Sequence, residues 1–120
     1  MHVKVIHFDI ETKKSSCVAF VNVPDYQLGF KTPEIDACEY AFARTQNIFG
    51  SWSKGPQFED GEHNEDFSEN VQVIAPLEIY MGRTLGHRSS MVGDLFIVNG
   101  NVYICKSFGF ELHEQEIVNA

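Results

Sequence analysis

The chain has 120 residues and a formal net charge of −8, because seventeen Asp and Glu residues outnumber nine Lys and Arg residues. Its 43% hydrophobic residues suffice for one core, and the length is too short for two ordinary domains. The negative charge excludes a basic nucleic-acid binder that gains affinity by neutralising phosphates. The aromatic content of 12% excludes a disordered tail. We therefore expect one folded domain over residues 1–120.

The sequence also bears on the compartment. No apolar run approaches the ~20 residues that a membrane helix needs. Charges at Lys4, Asp9 and Glu11 exclude an N-terminal signal peptide. The three cysteines lack CxxC spacing and are typical of free thiols in a reducing compartment, with one disulfide and a spare thiol as the alternative. We therefore expect a cytoplasmic protein.

The chain begins with the pattern of a β-hairpin. Residues 2–11 alternate as a strand that places Ile6 and Phe8 on one face and His7 on the other. We expect the His7 face to be solvated. Residues 17–23 are β-branched and aromatic and predict a second strand, antiparallel to the first.

One helix is predicted over residues 33–46. Thr32 can cap it, and a proline follows at the first helical position. Cys38 and Phe42 lie on an apolar stripe that Ile48 widens. The helix should cover one face of a sheet.

The second half of the chain predicts further strands. Residues 71–75 form a short strand, and residues 77–81 fit either an extended piece or a helical turn. Residues 94–106 form a hairpin around Asn99-Gly100, whose residue types favour the positive-φ turn that matches strand twist. Residues 108–112 fit a last strand. The cross-strand pairs expected in the hairpin are Leu95–Ile104, Phe96–Tyr103 and Ile97–Val102.

The fold class expected from this pattern is α+β. We predict a single small domain with an antiparallel sheet of about five strands and one main helix packed on one face.

Negative charge is concentrated in residues 57–70, which hold six acidic residues and no Lys or Arg. This acidic loop is either a solvated connection or a contact surface for a partner. The expected contact residues are its acids, with three aromatic residues as apolar anchors at the rim: Glu59, Asp60, Glu62, Glu65, Asp66 and Glu69, with Trp52, Phe58 and Phe67.

The second half also contains one positive cluster, formed by Arg83, His87 and Arg88. It either balances the charge of the acidic loop or forms a recognition loop on a rigid scaffold.

Asp9 and Glu11 suggest an alternative function. The segment Phe8-Asp9-Ile10-Glu11-Thr12 resembles the first motif of the DEDD-type 3′–5′ exonucleases, whose two carboxylates hold divalent metals. The chain shows too little helix for the parallel sheet of such a domain. A nuclease using Asp9 and Glu11 is therefore kept only as an alternative, and we expect no catalytic residue, metal or other cofactor.

Residues 85–111 carry a second resemblance. The motif contains Gly86-His87, the serines at 89 and 90, Asp94, Tyr103 and Gly109-Phe110-Glu111 in order. It resembles the YodL-like family of small phage and plasmid proteins, some of which are associated with antirestriction proteins. The resemblance implies a mobile-element setting and no transferable catalytic residue.

We therefore expect a phage or mobile-element accessory protein that acts by binding a host protein. The acidic loop would mimic nucleic acid and occupy a basic groove of a defence or nucleic-acid-handling enzyme. Direct binding to nucleic acid or membrane is not expected. A self-associating structural module remains a further alternative, with the edge of the Asn99-Gly100 hairpin as its pairing surface.

Overall fold

A computed structural model describes residues 1–113 of the protein. In chain order the elements are β1 (His2–Asp9), β2 (Lys14–Asn22), a single 3-10 turn (Asp25–Gln27), α1 (Pro33–Arg44), β3 (Val71–Val73), β4 (Glu78–Tyr80), β5 (Arg83–Leu85), β6 (Leu95–Val98), β7 (Asn101–Lys106) and β8 (Gly109–Leu112). Six strands form one antiparallel sheet in the order β3-β2-β1-β6-β7-β8, while β4 and β5 pair with each other. The α+β prediction is confirmed, with a larger main sheet than expected and a separate strand pair.

The core lies between α1 and one face of the sheet. Ala37, Cys38 and Ala41 of α1 are fully buried. The helix packs over β1, β6 and β8. At this interface the ring of Phe96 meets that of Phe110 edge to face, with centroids 5.1 Å apart. Burial of this apolar face provides the main driving force for folding.

The predicted orientation of β1 is wrong. Val5 is fully buried and His7 is 7% exposed, so the face predicted to be solvated packs into the core. Ile6 and Phe8 lie on the opposite face, where Ile6 pairs with Leu95 of β6. β1 carries apolar residues on both faces, with Val5 on one and Ile6 and Phe8 on the other, so local alternation did not identify the buried face.

The helix prediction holds with shorter bounds. α1 ends at Arg44, and Thr32 occupies the cap position without a side-chain capping bond. Ile48 lies beyond the helix and is 66% exposed, so it does not extend the apolar stripe as predicted.

The strands of the second half follow the sequence pattern, except that β5 was not predicted. Asn99 and Gly100 have φ values of 52° and 79°, as the turn requires. All three predicted cross-strand pairs of the β6–β7 hairpin are confirmed. Residues 77–81 take the extended alternative, as β4.

The one α-helix within residues 1–113 has 12 residues, and it lacks the length and apolar content of a membrane-spanning segment.

Candidate functional site

The acidic loop, residues 57–70, has no strand or helix of its own, yet buried side chains fix its path. Asn64 is 1% exposed. Its Oδ1 accepts the N–H of Ser51 at 3.0 Å, and its Nδ2 donates to the carbonyls of Ser51 and Gly55 at 2.7 and 2.8 Å. Because the amide satisfies backbone groups that lie about ten residues upstream, the acidic loop is tied to residues 51–55.

Asp66 forms a second attachment. One oxygen of its carboxylate accepts the N–H groups of Ile48, Phe49 and Gly50 at 2.7, 2.9 and 2.6 Å. A carboxylate that accepts three backbone hydrogen bonds has a structural role. One oxygen of Asp66, which was predicted to contact a partner, thus holds the acidic loop to residues 48–50.

The other five acids of the acidic loop are exposed. Within residues 1–113, none of them forms an ion pair with a Lys, Arg or His side chain. The acidic loop thus combines a backbone held by buried hydrogen bonds with exposed carboxylates that form no ion pair within residues 1–113. These exposed carboxylates belong to Glu59, Asp60, Glu62, Glu65 and Glu69.

The aromatic residues predicted at the rim have different positions. Trp52 is 1% exposed, and its Nε1 donates to the carbonyl of Arg88 at 2.9 Å. Trp52 belongs to the core. It cannot anchor a partner as predicted, because its ring is buried and its N–H already has an internal acceptor. Phe67 is 39% exposed, whereas Phe58 is half-buried with the ammonium of Lys54 5.9 Å from its ring centre.

The predicted positive cluster is divided by the fold. Arg83 lies on β5 and is exposed. Arg88 donates from its two terminal nitrogens to the two oxygens of Asp94, at 2.8 and 2.9 Å. His87 lies within hydrogen-bonding distance of the carbonyl of Ala75, at 2.9 Å from its Nε2. Two of the three residues therefore serve internal contacts.

The buried carboxylate of Asp94 is the centre of this network. Burial raises its pKa, but hydrogen bonds from Arg88 and from the N–H groups of Phe8 and Met91 outweigh that effect and hold the pKa below its usual value. Asp94 therefore stays ionised and joins β1 to the segment before β6.

His7 continues the network without forming a catalytic triad. Its Nε2 lies 2.9 Å from Ser90 Oγ, which in turn lies 2.7 Å from Thr45 Oγ1. Asp94 approaches the same nitrogen, at 3.8 Å, whereas a triad needs the carboxylate and the hydroxyl on opposite ring nitrogens. Burial lowers the pKa of His7 to about 4, so the ring is neutral at neutral pH.

The carboxylates of the nuclease alternative also serve local structure. β1 ends at Asp9, and Glu11 lies in the turn, so the two residues do not share a strand face. Asp9 Oδ1 accepts the N–H groups of Glu11 and Thr12 at 2.9 and 3.3 Å. No group of three His, Cys, Asp or Glu side chains suited to a metal ion occurs in the described part of the chain.

A cleft of about 800 Å³ lies between the β1–β2 turn and residues 85–88. His7, His87 and Arg88 reach its wall, but the contacts above already engage their side chains. These three residues therefore do not supply the cleft with a free acid and base for catalysis.

Two features were missed by sequence reasoning. The structural roles of Asn64 and Asp66 depend on distant backbone groups that no local pattern reveals. The β4–β5 hairpin exposes Ile79, Tyr80 and Met81, and Gly82 was the one local signal that could have indicated its turn.

Comparisons of the chain with protein-family models, with curated proteins and with solved structures found no match.

Proposed function

We propose that the protein acts by binding a partner protein with a basic surface, through the five exposed carboxylates of the acidic loop. The observation that supports this function is the combination of exposed carboxylates, which form no ion pair within the described residues, with a backbone fixed by Asn64 and Asp66. A surface that is ordered before binding avoids part of the entropic cost of association.

The charge of the chain favours one class of partner. A net charge of −8 accelerates encounter with a basic protein surface and repels free nucleic acid and anionic membranes. A host enzyme that handles nucleic acid has such a surface in its groove. The YodL-like resemblance of residues 85–111 implies a mobile-element setting, in which inhibition of a host defence enzyme is a fitting role.

The proposed interaction takes place in the cytoplasm. The thiols of Cys17, Cys38 and Cys105 are all unpaired, which suits a reducing compartment. The pKa of Cys38 is raised to about 12 by burial, so this thiol stays protonated and has low reactivity.

The test compares two variants that remove the same charge from different surfaces. The loop variant carries Glu59→Gln, Glu62→Gln and Glu65→Gln. The control variant carries Glu11→Gln, Asp25→Asn and Glu39→Gln, which are exposed positions outside the acidic loop. Each changes the net charge by three, from −8 to −5.

The tagged proteins are expressed in a bacterial host, and the partner retained by the wild-type chain is quantified. We expect the loop variant to bind the partner about tenfold more weakly or worse, equivalent to about 1.4 kcal/mol of binding free energy. The affinity of the control variant should change little. Equal losses would contradict the proposal. A concentration-dependent oligomer with no retained protein would instead support the self-associating module.

A further inference from the structure

The turn end of the β4–β5 hairpin is exposed. Ile79 is 75% exposed and its neighbour Tyr80 is 64% exposed. Successive residues of a strand point to opposite faces, so both faces of the hairpin are open at this end. The strands pair with each other and with no strand of the main sheet. The hairpin tip, defined here as Ile79, Tyr80 and Met81, is therefore an exposed apolar group.

The turn of this hairpin has an unusual residue. Met81 and Gly82 have φ values of 51° and 78°, the combination of a turn in which Asn-Gly is the favoured pair. A side chain with a Cβ is disfavoured in the left-handed region, and Met lacks the local hydrogen bond that compensates Asn. Met81 is also 85% exposed, so packing within the described residues does not offset this cost.

The hairpin lies beside the acidic loop. Arg83, which pairs with Tyr80, lines a cleft of about 620 Å³ together with Glu59 and Asp60. Leu85 of the same hairpin also lines this cleft. Two of the five exposed acids, Glu59 and Asp60, therefore border the same cleft as β5 of the hairpin.

We propose that the hairpin tip is the apolar anchor of the partner interface and inserts into an apolar pocket within the partner's basic surface. This inference rests on the proposed function of the acidic loop. Exposed carboxylates that line the same cleft as β5 of this hairpin fit a basic protein and oppose insertion into an anionic membrane. Exposed large apolar side chains next to charged groups are the usual composition of a binding hot spot with a polar rim. The hairpin tip thus replaces Trp52 as the apolar anchor.

The experiment uses two synthetic helical peptides of equal positive charge. One has a lysine face and a leucine face, and in the other alanine replaces leucine. Wild-type protein should bind the leucine peptide about tenfold tighter than the alanine peptide, as measured by fluorescence anisotropy. The tip variant Ile79→Thr with Met81→Asn should bring this ratio close to one while leaving affinity for the alanine peptide unchanged.

These substitutions are chosen to preserve the hairpin. Thr retains the β-branched shape that strands favour, and Asn suits the positive φ at position 81. Urea unfolding checks that the tip variant is as stable as the wild type. Phe30→Ser is the control, because Phe30 is fully exposed in the segment before α1, and it should leave the peptide ratio unchanged.

The outcomes separate the two proposals. The loop variant should weaken binding of both peptides equally and keep their ratio. Equal affinity of the wild type for the two peptides, or an equal effect of Phe30→Ser, would overturn the anchor and leave the acidic surface standing. Absence of binding to both peptides would overturn the proposed function and the anchor with it.

Discussion

Arg88 and Asp94 form a bidentate ion pair in which the carboxylate side chain is 1% exposed and the guanidinium side chain is 39% exposed. The carboxylate also accepts the N–H groups of Phe8 and Met91 at 3.0 and 2.8 Å. The pair thus connects the end of β1 to the segment that precedes β6. Residues that sequence analysis grouped with a recognition loop or a hairpin therefore hold the fold together.

The first prediction concerns this pair. Asp94→Asn keeps the size of the side chain but leaves Arg88 without its counterion and places an amide donor against N–H groups. We expect a loss of roughly 2–4 kcal/mol in the free energy of unfolding, measured by urea denaturation. Glu111→Gln is the control, because its pair with Lys106 is 3.9 Å long and exposed, and it should cost below about 0.5 kcal/mol. Similar effects of the two substitutions would contradict the central role of Asp94.

The second prediction concerns pH. The pKa of His7 falls from 6.5 to about 4 on folding, mainly through burial. Between these values the unfolded chain binds a proton that the folded chain does not, so stability must decrease as pH falls through this window. The contribution of one group is at most about 1.4 kcal/mol per pH unit. Urea unfolding across the window should show this slope in wild type and in His2→Gln, an exposed control, and a smaller slope in His7→Gln. Equal slopes would show that His7 is not the titrating group.

The third prediction concerns Glu34, whose carboxylate joins the start of α1 to the β6–β7 hairpin. It accepts the hydroxyl of Tyr103 at 2.7 Å and the side-chain amides of Asn101 and Asn99 at 2.9 and 3.1 Å. The hydrogen bond to Glu34 raises the pKa of Tyr103 to about 12. In Glu34→Gln we expect the pKa of Tyr103 to fall toward the ordinary tyrosine value, as followed by ultraviolet absorbance at alkaline pH. Glu39→Gln, an exposed change on the same helix, should leave the titration unaltered, and an unaltered titration in Glu34→Gln would contradict the contact.

The fourth prediction concerns the acidic loop. Asn64→Ala removes the bonds to Ser51 and Gly55 and leaves buried backbone groups unpaired, at an expected cost of roughly 2–4 kcal/mol in unfolding free energy. Hydrogen exchange in residues 57–70 should accelerate by about tenfold or more, because the attachment is lost. The neighbouring Glu65→Gln should change neither quantity, because Glu65 is exposed. Unchanged exchange in Asn64→Ala would show that the acidic loop is fixed by other contacts.

Local chemistry explains which parts of the fold could be predicted. The register of the β6–β7 hairpin was predicted correctly because Asn99-Gly100 fixes the turn, and the turn fixes every cross-strand pair after it. The orientation of β1 was predicted wrongly. Its buried polar residue, His7, forms a hydrogen bond with Ser90, which lies 83 positions away in the sequence. A pattern read over ten residues has no access to that partner.

The candidate site likewise has features that the sequence predicts and features that depend on the tertiary fold. The concentration of acids in residues 57–70 is a local property, and the sequence identified it. The distinction between exposed acids and Asp66 depends on three backbone donors in residues 48–50, which only the tertiary fold brings near. Trp52 was predicted at the rim of the acidic loop, whereas its indole is buried beside His7, a residue 45 positions away in the sequence.

The most direct test of the central claim is the salt dependence of affinity for the isolated partner. If the acidic loop carries the electrostatic attraction, affinity should fall steeply with ionic strength for the wild type and for the control variant with Glu11→Gln, Asp25→Asn and Glu39→Gln. The loop variant with Glu59→Gln, Glu62→Gln and Glu65→Gln should bind more weakly at low salt and show a flatter dependence. Equal slopes for the two variants would contradict a role for the acidic loop in partner binding.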